Sequence, residues 1–249
     1  MTLPTSFFGW VSFILEKYAP LFLRGTGYTM LIALTGTAAG FALGLLVAIV
    51  RTIPFSPRDS LLKKGGLRLL SALMNIYIEV FRGTPMIVQA MVIYYGAILI
   101  ISVNTGAYMA EIIRGGIISV DKGQKEAAHA VGLTHWQSML HVVLPQAVRN
   151  IMPSIGNEFV VNIKDSSVLN VISVSELFFV SKSAAGTYAR YFEAFFITAC
   201  IYFVLTFTVT RLLRLLEKKM DGGKSYTICG SQSDSASTIT IKEAEIPHD

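Results

Sequence analysis

The sequence predicts an all-α integral membrane protein with about five transmembrane helices. Of its residues, 53% are hydrophobic and only 15% are charged, whereas about a quarter of a soluble domain is charged. Uncharged runs close to the roughly 20 residues that span a bilayer recur along the chain. Basic residues cluster between these runs, so the net charge of +5 reflects membrane topology. No basic stripe with interleaved aromatic residues indicates nucleic-acid binding.

The first 50 residues are predicted to form two parts. Residues 1–24 have an apolar, aromatic composition followed by charges, which favours an external amphipathic segment at the membrane interface. The first span, Gly25–Val50, carries no charge. Glycines at 36, 40 and 44 lie on one helix face, and small residues at this spacing let helices approach closely in lipid. We expect them to pack this helix within its own chain.

The second span is predicted over Leu69–Tyr95. Its charged residues Glu79 and Arg82 are three apart, so they could form a structural ion pair on one helix face. The sequence Gly83-Thr84-Pro85 beside them indicates a bend.

A tight reversal near Gly96 is predicted after the second span. The run from Gly83 to Ala110 is uncharged and would measure about 42 Å as one straight helix, which exceeds the roughly 30 Å hydrocarbon core. The third span therefore covers about Ile98–Ile118, and Glu111 and Arg114 are again three apart near its end.

The fourth span, Arg149–Ile172, is too polar to face lipid. Glu158, Asn162 and Asp165 share one of its faces. Together with polar residues of the third span, this face is the candidate substrate path: Asn104, Thr105, Glu158, Asn162, Lys164 and Asp165. In the alternative interpretation, Glu158 and Lys164 are charges that pair between subunits.

The remaining segments complete the topology. Residues 173–191 are polar and expected outside, the fifth span begins at Glu193, and residues 221–249 are expected to be a disordered cytoplasmic tail. Basic clusters at 51–68 and 211–219 indicate cytoplasmic ends by the positive-inside rule. The N-terminus is therefore predicted outside and the C-terminus inside, with one transmembrane domain over 25–220.

A polar island at residues 122–145 separates the third and fourth spans. A short helix containing Glu126, Ala127 and Ala128 should end at Gly132, which favours a turn between helical pieces. A second, amphipathic helix should follow and stop at Pro145, since proline disfavours continuation of a preceding helix. A helical hairpin outside the bilayer indicates a surface for a partner.

This island resembles the EAA loop of ABC-transporter permeases, in which EAA, Gly and a terminal Leu-Pro recur at fixed spacing. The matching residues, identified as the ATPase-coupling element, are Glu126, Ala127, Ala128, Gly132, Leu144 and Pro145. Residues 79–85, 104–108 and 164–167 are similar to the polar amino acid uptake subfamily. The resemblance covers roughly 26–220. The chain departs from the family between Tyr95 and Asn104, where the external connection is short.

The resemblance implies the fold of a type I ABC importer permease in a bacterial cytoplasmic membrane. It implies a transport subunit, not an enzyme, that moves a polar amino acid such as glutamine, glutamate or a basic amino acid into the cell. Partners would be ABC ATPase subunits, a second permease in a homo- or heterodimer, and an extracellular substrate-binding protein. The chain itself would bind no metal or cofactor, and the separate ATPase would use ATP and Mg²⁺.

Two other classes remain open from the residues alone. A secondary transporter could use Glu158, Lys164 and Asp165 for ion coupling and would transport without an ATPase. A scaffold subunit would bind the same partners without transport. The spacing of the EAA residues favours the importer.

Overall fold

The computed structural model describes residues 3–53, 60–94 and 96–220, and every regular element within them is helical. In chain order the elements are α1 (Phe7–Thr52), α2 (Leu61–Gly83), α3 (Met86–Val92), α4 (Ala97–Ser119), α5 (Lys122–Ala130), α6 (His135–Ser138), a π-helical segment (Met139–Val143), α7 (Leu144–Asp165), a 3₁₀ segment (Ser166–Ile172), α8 (Leu177–Tyr188) and α9 (Tyr191–Met220). The predicted tail at 221–249 lies outside the described residues.

Helix α1 continues across the predicted boundary at residue 24. Its 46 residues span about 69 Å, more than twice the roughly 30 Å membrane core. The boundary predicted at residue 24 is therefore absent, whereas the interfacial position of residues 1–24 stays a prediction. Part of the apolar surface of this first segment is covered by protein. Trp10, Ile14 and Phe22 are buried in one cluster with residues of α8 and α9.

The glycine stripe of α1 packs against α4, as expected. A Cβ atom at Gly40 would lie 2.7 Å from Cβ of Thr105, and one at Gly44 would lie 2.6 Å from Cβ of Met109. Both distances are shorter than two carbon atoms tolerate. The two helices therefore approach as closely as their backbones allow, and the prediction that these glycines pack within the chain is confirmed.

Both predicted interruptions between the second and third spans are observed. Helix α2 ends at Gly83, and α3 begins after Pro85, which occupies its N-cap in an extended conformation. Thr84, the C-cap of α2, is also extended, because a proline disfavours helical geometry at the residue before it. Gly96 is the N-cap of α4, so the chain restarts where a reversal was expected.

Pro145 does not end its helix, contrary to the sequence prediction. The π-helical segment Met139–Val143 precedes it, and the Leu144 amide donates to the carbonyl oxygen of Met139. This wider turn places Pro145 in the first turn of α7, where its missing N–H costs little. Helical structure therefore continues from α6 through α7.

The segment predicted as an external polar loop contains α8. Residues Ser173 and Ala189 have left-handed backbone angles, with φ of 60° and 54°, and bracket this helix. Its buried side chains Leu177, Ala184 and Ala185 pack against α1 and α9. The helix is therefore covered by protein on the side of these residues, although the segment as a whole was predicted to be polar.

Within the described residues, α1, α4 and α9 are long and apolar enough to cross a membrane. A fourth span results if α6–α7 with its 3₁₀ extension and α8, bent by 54°, count as one broken span. The predicted second span falls on α2 and α3, which are interrupted at 84–85 and carry charges in α2. The all-α membrane fold agrees with the prediction, whereas three or four spans, rather than about five, are found among the described residues.

The glycine stripe gives a stability prediction. Gly40→Ala should lower the free energy of unfolding by about 1–3 kcal/mol, because the added methyl group overpacks the contact with α4. Gly27→Ala is the matched control in the same helix, since a Cβ there meets no atom within 4 Å. Thermal unfolding in detergent, followed by size-exclusion chromatography, measures both. Equal midpoints for the two variants would contradict the packing assignment.

Candidate functional site

A cavity of about 480 Å³ lies where the break between α2 and α3 faces α4 and α7. Four of the six residues predicted for the substrate path line it: Asn104, Glu158, Asn162 and Asp165. The same wall contains residues that were not predicted as path residues: Arg82, Gly83, Thr84, Pro85, Met86, Tyr108 and Val161. Helical spacing correctly brought the three α7 residues to one face.

The cavity wall carries charges of both signs. Glu158 is buried, with 3% of its surface exposed. Asp165 is half-buried and lies about two helical turns further along α7. Arg82 contributes the positive charge and lies with its guanidinium carbon 5.3 Å from the centre of the Tyr108 ring. A guanidinium over an aromatic face is stabilised by the ring quadrupole.

The predicted Glu79–Arg82 ion pair is wrong. The salt bridges among the described residues instead join Glu111 to Arg51 and to Arg114, and Arg190 to Glu193. Glu79 is exposed, whereas Arg82 turns to the cavity at the last turn of α2. The spacing of three residues permits an ion pair on one helix face. Arg82 instead lines the cavity beside the break and contacts the Tyr108 ring.

Asn162 and Thr105 form a buried polar cluster, of which Asn162 lines the cavity and Thr105 does not. The Asn162 amide nitrogen donates to the Thr37 hydroxyl at 2.7 Å, and the Thr105 hydroxyl donates to the Asn162 oxygen at 3.0 Å. Both polar atoms of Asn162 are therefore used to join α1, α4 and α7. We assign these two predicted path residues a structural part in the cavity.

Lys164 is separated from the other predicted path residues. It lines a second groove of about 250 Å³ between α7 and α9, with Phe203, Phe207, Arg211 and Arg214 among its neighbours. Lys164 and Asp165 are adjacent in sequence, so they project about 100° apart around the helix axis. The prediction placed both on one path, and the structure places them on different surfaces.

Gln89 is a residue near the cavity that the sequence analysis missed. It is 6% exposed, and its side-chain oxygen accepts a hydrogen bond from the Asn104 amide at 2.9 Å. A lone glutamine in a short uncharged stretch carries no pattern by itself. The only available signal was physical: an amide side chain inside a membrane protein must find hydrogen-bond partners, because burying it unpaired costs free energy.

The hairpin at 122–145 has a glycine turn with defined hydrogen bonds. The Leu133 amide donates to the Ala128 carbonyl at 3.0 Å, and the Gly132 amide donates to the His129 carbonyl at 3.0 Å. This pair of bonds is a Schellman motif, which needs a left-handed residue. Gly132 has φ of +85°, so the predicted turn glycine has a physical reason.

A capping box starts the second half of the hairpin. The backbone N–H of Gln137 donates to the Thr134 hydroxyl at 3.3 Å, and the backbone N–H of Thr134 donates to the Gln137 side-chain oxygen at 2.8 Å. Reciprocal bonds of this kind fix where a helix begins. The hairpin is therefore defined by its own backbone and caps.

The apolar face predicted for the hairpin divides into a buried and an exposed part. Met139 and Val143 are 5% and 1% exposed and belong to the core with α4. Val131, Trp136 and Leu140 are 77%, 50% and 52% exposed. We call these three side chains the hairpin tip. Each of them leaves at least half of its surface uncovered by the described residues.

The six predicted coupling residues of the hairpin differ in how far they are exposed. Ala128 is buried, and Leu144 is half-buried. The others are exposed: Glu126, Ala127, Gly132 and Pro145. The exposed members are available to a partner, whereas Ala128 and Leu144 support the hairpin from inside.

The histidines of the hairpin do not form a metal site. His129 and His141 use Nδ1 in contacts with the backbone oxygens of Leu133 and Gln137. Within the described ranges, no group of three or more His, Cys, Asp or Glu side chains could hold a metal ion.

The chain is similar to known membrane transport proteins. The model of the family "Binding-protein-dependent transport system inner membrane component" matches residues 60–222. The glutamine transport system permease protein GlnP of Escherichia coli (strain K12) is 34% identical over 216 residues, which cover 81% of this chain and 93% of that protein. The arginine transport system permease protein ArtQ of Bacillus subtilis (strain 168) is 32% identical, with the same coverage.

Solved structures with the same fold include an amino acid ABC transporter and the MetNI methionine ABC transporter. The first is 37% identical, with a TM-score of 0.72, and the match covers 82% of this chain and 96% of that one. The second is 16% identical, with a TM-score of 0.70 over 82% of this chain and 98% of that one, and supports the fold alone. The chain belongs to the family of binding-protein-dependent transport system inner membrane components, as a permease subunit of an ABC importer.

Proposed function

We propose that this permease subunit moves a polar amino acid through the cavity between α2, α4 and α7. The observation that carries the proposal is that Arg82, Glu158 and Asp165 line one cavity. Its volume of about 480 Å³ lies in the range of small-molecule sites, about 300–1,000 Å³. The names of the relatives, which specify glutamine and arginine transport, support the same substrate class.

The charge arrangement matches the two charges common to all amino acids. Arg82 is the donor for the substrate carboxylate, because a guanidinium binds carboxylates through paired N–H groups. Glu158 and Asp165 are the acceptors for the substrate ammonium group. Intramembrane charges that line a cavity mark substrate pathways. The selection among glutamine, glutamate and basic amino acids would then depend on contacts to the substrate side chain.

The hairpin at 122–145 is proposed as the docking element for an ABC ATPase subunit. Its exposed apolar tip, Val131, Trp136 and Leu140, offers large side chains for a pocket in the partner, as interface anchors do. Gly132 and the capping box shape the hairpin. ATP and Mg²⁺ would be bound by the ATPase, whose closure would move the hairpin and switch access to the cavity.

The complete importer is proposed to contain a second permease, two ATPases and an extracellular substrate-binding protein. The exposed apolar residues of α9, which include Phe203, Phe207 and Leu215, would face lipid or the second permease. Basic residues at 211–219 favour a cytoplasmic C-terminal end of α9 in a bacterial cell membrane. With the five spans that the sequence predicts, the N-terminus would then lie outside.

Uptake into proteoliposomes tests the substrate site. The ATPase, the binding protein and any partner permease are supplied, and labelled amino acids are offered outside. Arg82→Gln and Glu158→Gln should each raise KM for the transported amino acid about tenfold or more, because each removes a hydrogen bond to a charged group. Arg68→Gln is the matched control, since Arg68 is an exposed arginine of the same helix.

An unchanged KM in both cavity variants would contradict the site assignment. Uptake that continues without the ATPase, in a sodium or proton gradient, would instead identify a secondary transporter. ATPase assembly without uptake of any amino acid would support the scaffold alternative.

The hairpin turn gives a second prediction. Gly132→Ala should reduce ATP hydrolysis stimulated by the liganded binding protein several-fold, because a Cβ at this left-handed position costs about 1–2 kcal/mol and distorts the tip. Gly115→Ala is the control, at a helical glycine where a Cβ meets no atom within 4 Å. The thermal stability of the bundle should not differ between them. Full stimulation in Gly132→Ala would refute the coupling assignment.

Cysteine labelling tests the orientation. In a Cys200→Ala, Cys229→Ala background, Leu3→Cys should react with a membrane-impermeant maleimide in intact cells, since Leu3 is 56% exposed. Lys219→Cys should react only after the cells are permeabilised. The reverse pattern would invert the proposed topology.

A further inference from the structure

A buried amide pair, Gln89 and Asn104, lies beside the cavity. The Gln89 nitrogen donates to the carbonyl oxygens of Phe81 and Thr84, at 3.0 and 2.9 Å, and to the Thr84 hydroxyl at 2.9 Å. These bonds span the break between α2 and α3. Gln89 is absent from the cavity wall itself, so it acts on the cavity only through the groups it holds.

Backbone carbonyls determine which way the Gln89 amide faces. A carbonyl oxygen can only accept hydrogen bonds, so the Gln89 nitrogen must lie toward Phe81 and Thr84. Its oxygen is then directed to Asn104 and accepts from the Asn104 nitrogen at 2.9 Å. The same nitrogen donates to the Phe81 carbonyl at 3.2 Å. Both N–H groups of Asn104 are therefore used within the protein.

The remaining polar atom of Asn104 is its side-chain oxygen, and Asn104 lines the cavity. Among the described residues, Trp10 Nε1 is the one fully buried side-chain nitrogen or oxygen without a hydrogen-bond partner. The Asn104 oxygen accepts no hydrogen bond from those residues either, yet it is not one of the fully buried atoms. It therefore retains exposed surface. The cavity thus receives a neutral acceptor in a fixed orientation.

We propose that Gln89 is a positioning residue that holds the Asn104 oxygen toward the cavity, where it accepts a hydrogen bond from the substrate ammonium group. This inference rests on the proposed function of the cavity. Glu158, Asp165 and the Asn104 oxygen would form a set of acceptors for a primary ammonium. Without Gln89, the carboxamide could rotate and present its N–H groups, which repel a cation.

A double-mutant cycle on uptake tests this role in the assembled importer. Gln89→Met removes both polar groups at similar side-chain length, and Asn104→Ala removes the acceptor. Each single variant should raise KM about tenfold, the loss expected for a hydrogen bond to a charged group, with a maximal rate within about twofold of the parent. Because Gln89 acts through Asn104, the double variant should match Asn104→Ala alone.

Additive effects on KM, or a loss of maximal rate without a change in KM, would overturn the proposal in favour of a purely structural role. Asn75→Ala is the control for Asn104→Ala, since Asn75 is exposed on α2. If Gln89→Met does not assemble with the ATPase, Gln89→Asn replaces it. That variant keeps both polar groups at a shorter reach, and it should restore part of the affinity with the same non-additivity.

Failure of the substrate-cavity assignment and failure of the Gln89 positioning role give different results. If Glu158→Gln and Asn104→Ala both leave KM unchanged, the proposed substrate cavity is wrong and this inference fails with it. If Glu158→Gln raises KM but Gln89→Met does not, the cavity assignment stands and the positioning role of Gln89 is overturned.

Discussion

The close approach of α1 to α4 is the constraint on which the other contacts depend. Gly40 and Gly44 remove the side chains that would separate the backbones. At this distance the Thr37 hydroxyl on α1 and the Thr105 hydroxyl on α4 can both reach Asn162 on α7. In a membrane, where apolar surface alone drives little association between helices, such packing and buried polar contacts hold a bundle together. A methyl group at either glycine would move the helix that positions one side of the cavity.

The cavity exists because the backbone is interrupted beside it. Irregular backbone at membrane depth is tolerated where protein or a polar cavity satisfies its groups. Here the Gln89 nitrogen satisfies the carbonyls of Phe81 and Thr84 at the break, and Pro85 removes one donor that would otherwise need a partner. The same break turns Arg82 toward Tyr108. The helix break at residues 84–85 thus lies beside the cavity, next to Arg82 in its wall and next to the hydrogen bonds that orient Asn104.

The sequence predicted the features that depend on periodicity and on local backbone chemistry. The apolar runs, the helix break at 83–85, the Gly132 turn and the shared face of Glu158, Asn162 and Asp165 all belong to this class. Two of the errors concern neighbours that lie far away in the chain, and the third concerns a local irregularity of the backbone. The pairing of Arg82 and the direction of Lys164 depend on which helix packs alongside, and the persistence of the helix through Pro145 depends on a π-helical segment. None of these leaves a periodic signal.

The proposed docking surface and the proposed substrate site share one helical rod. Helical structure begins at His135, passes the π-helical segment and reaches Asp165 without a break. Glu158 lies 13 residues beyond Pro145, about 20 Å along the axis. A continuous helix can transmit a displacement from one end to the other, although Pro153 inside α7 removes one backbone hydrogen bond and favours a kink there. Met139 and Val143 anchor the first part of this helical segment to the core with α4. Movement of the hairpin would therefore shift the acidic wall of the cavity relative to Arg82, which is attached to a different helix beyond the break.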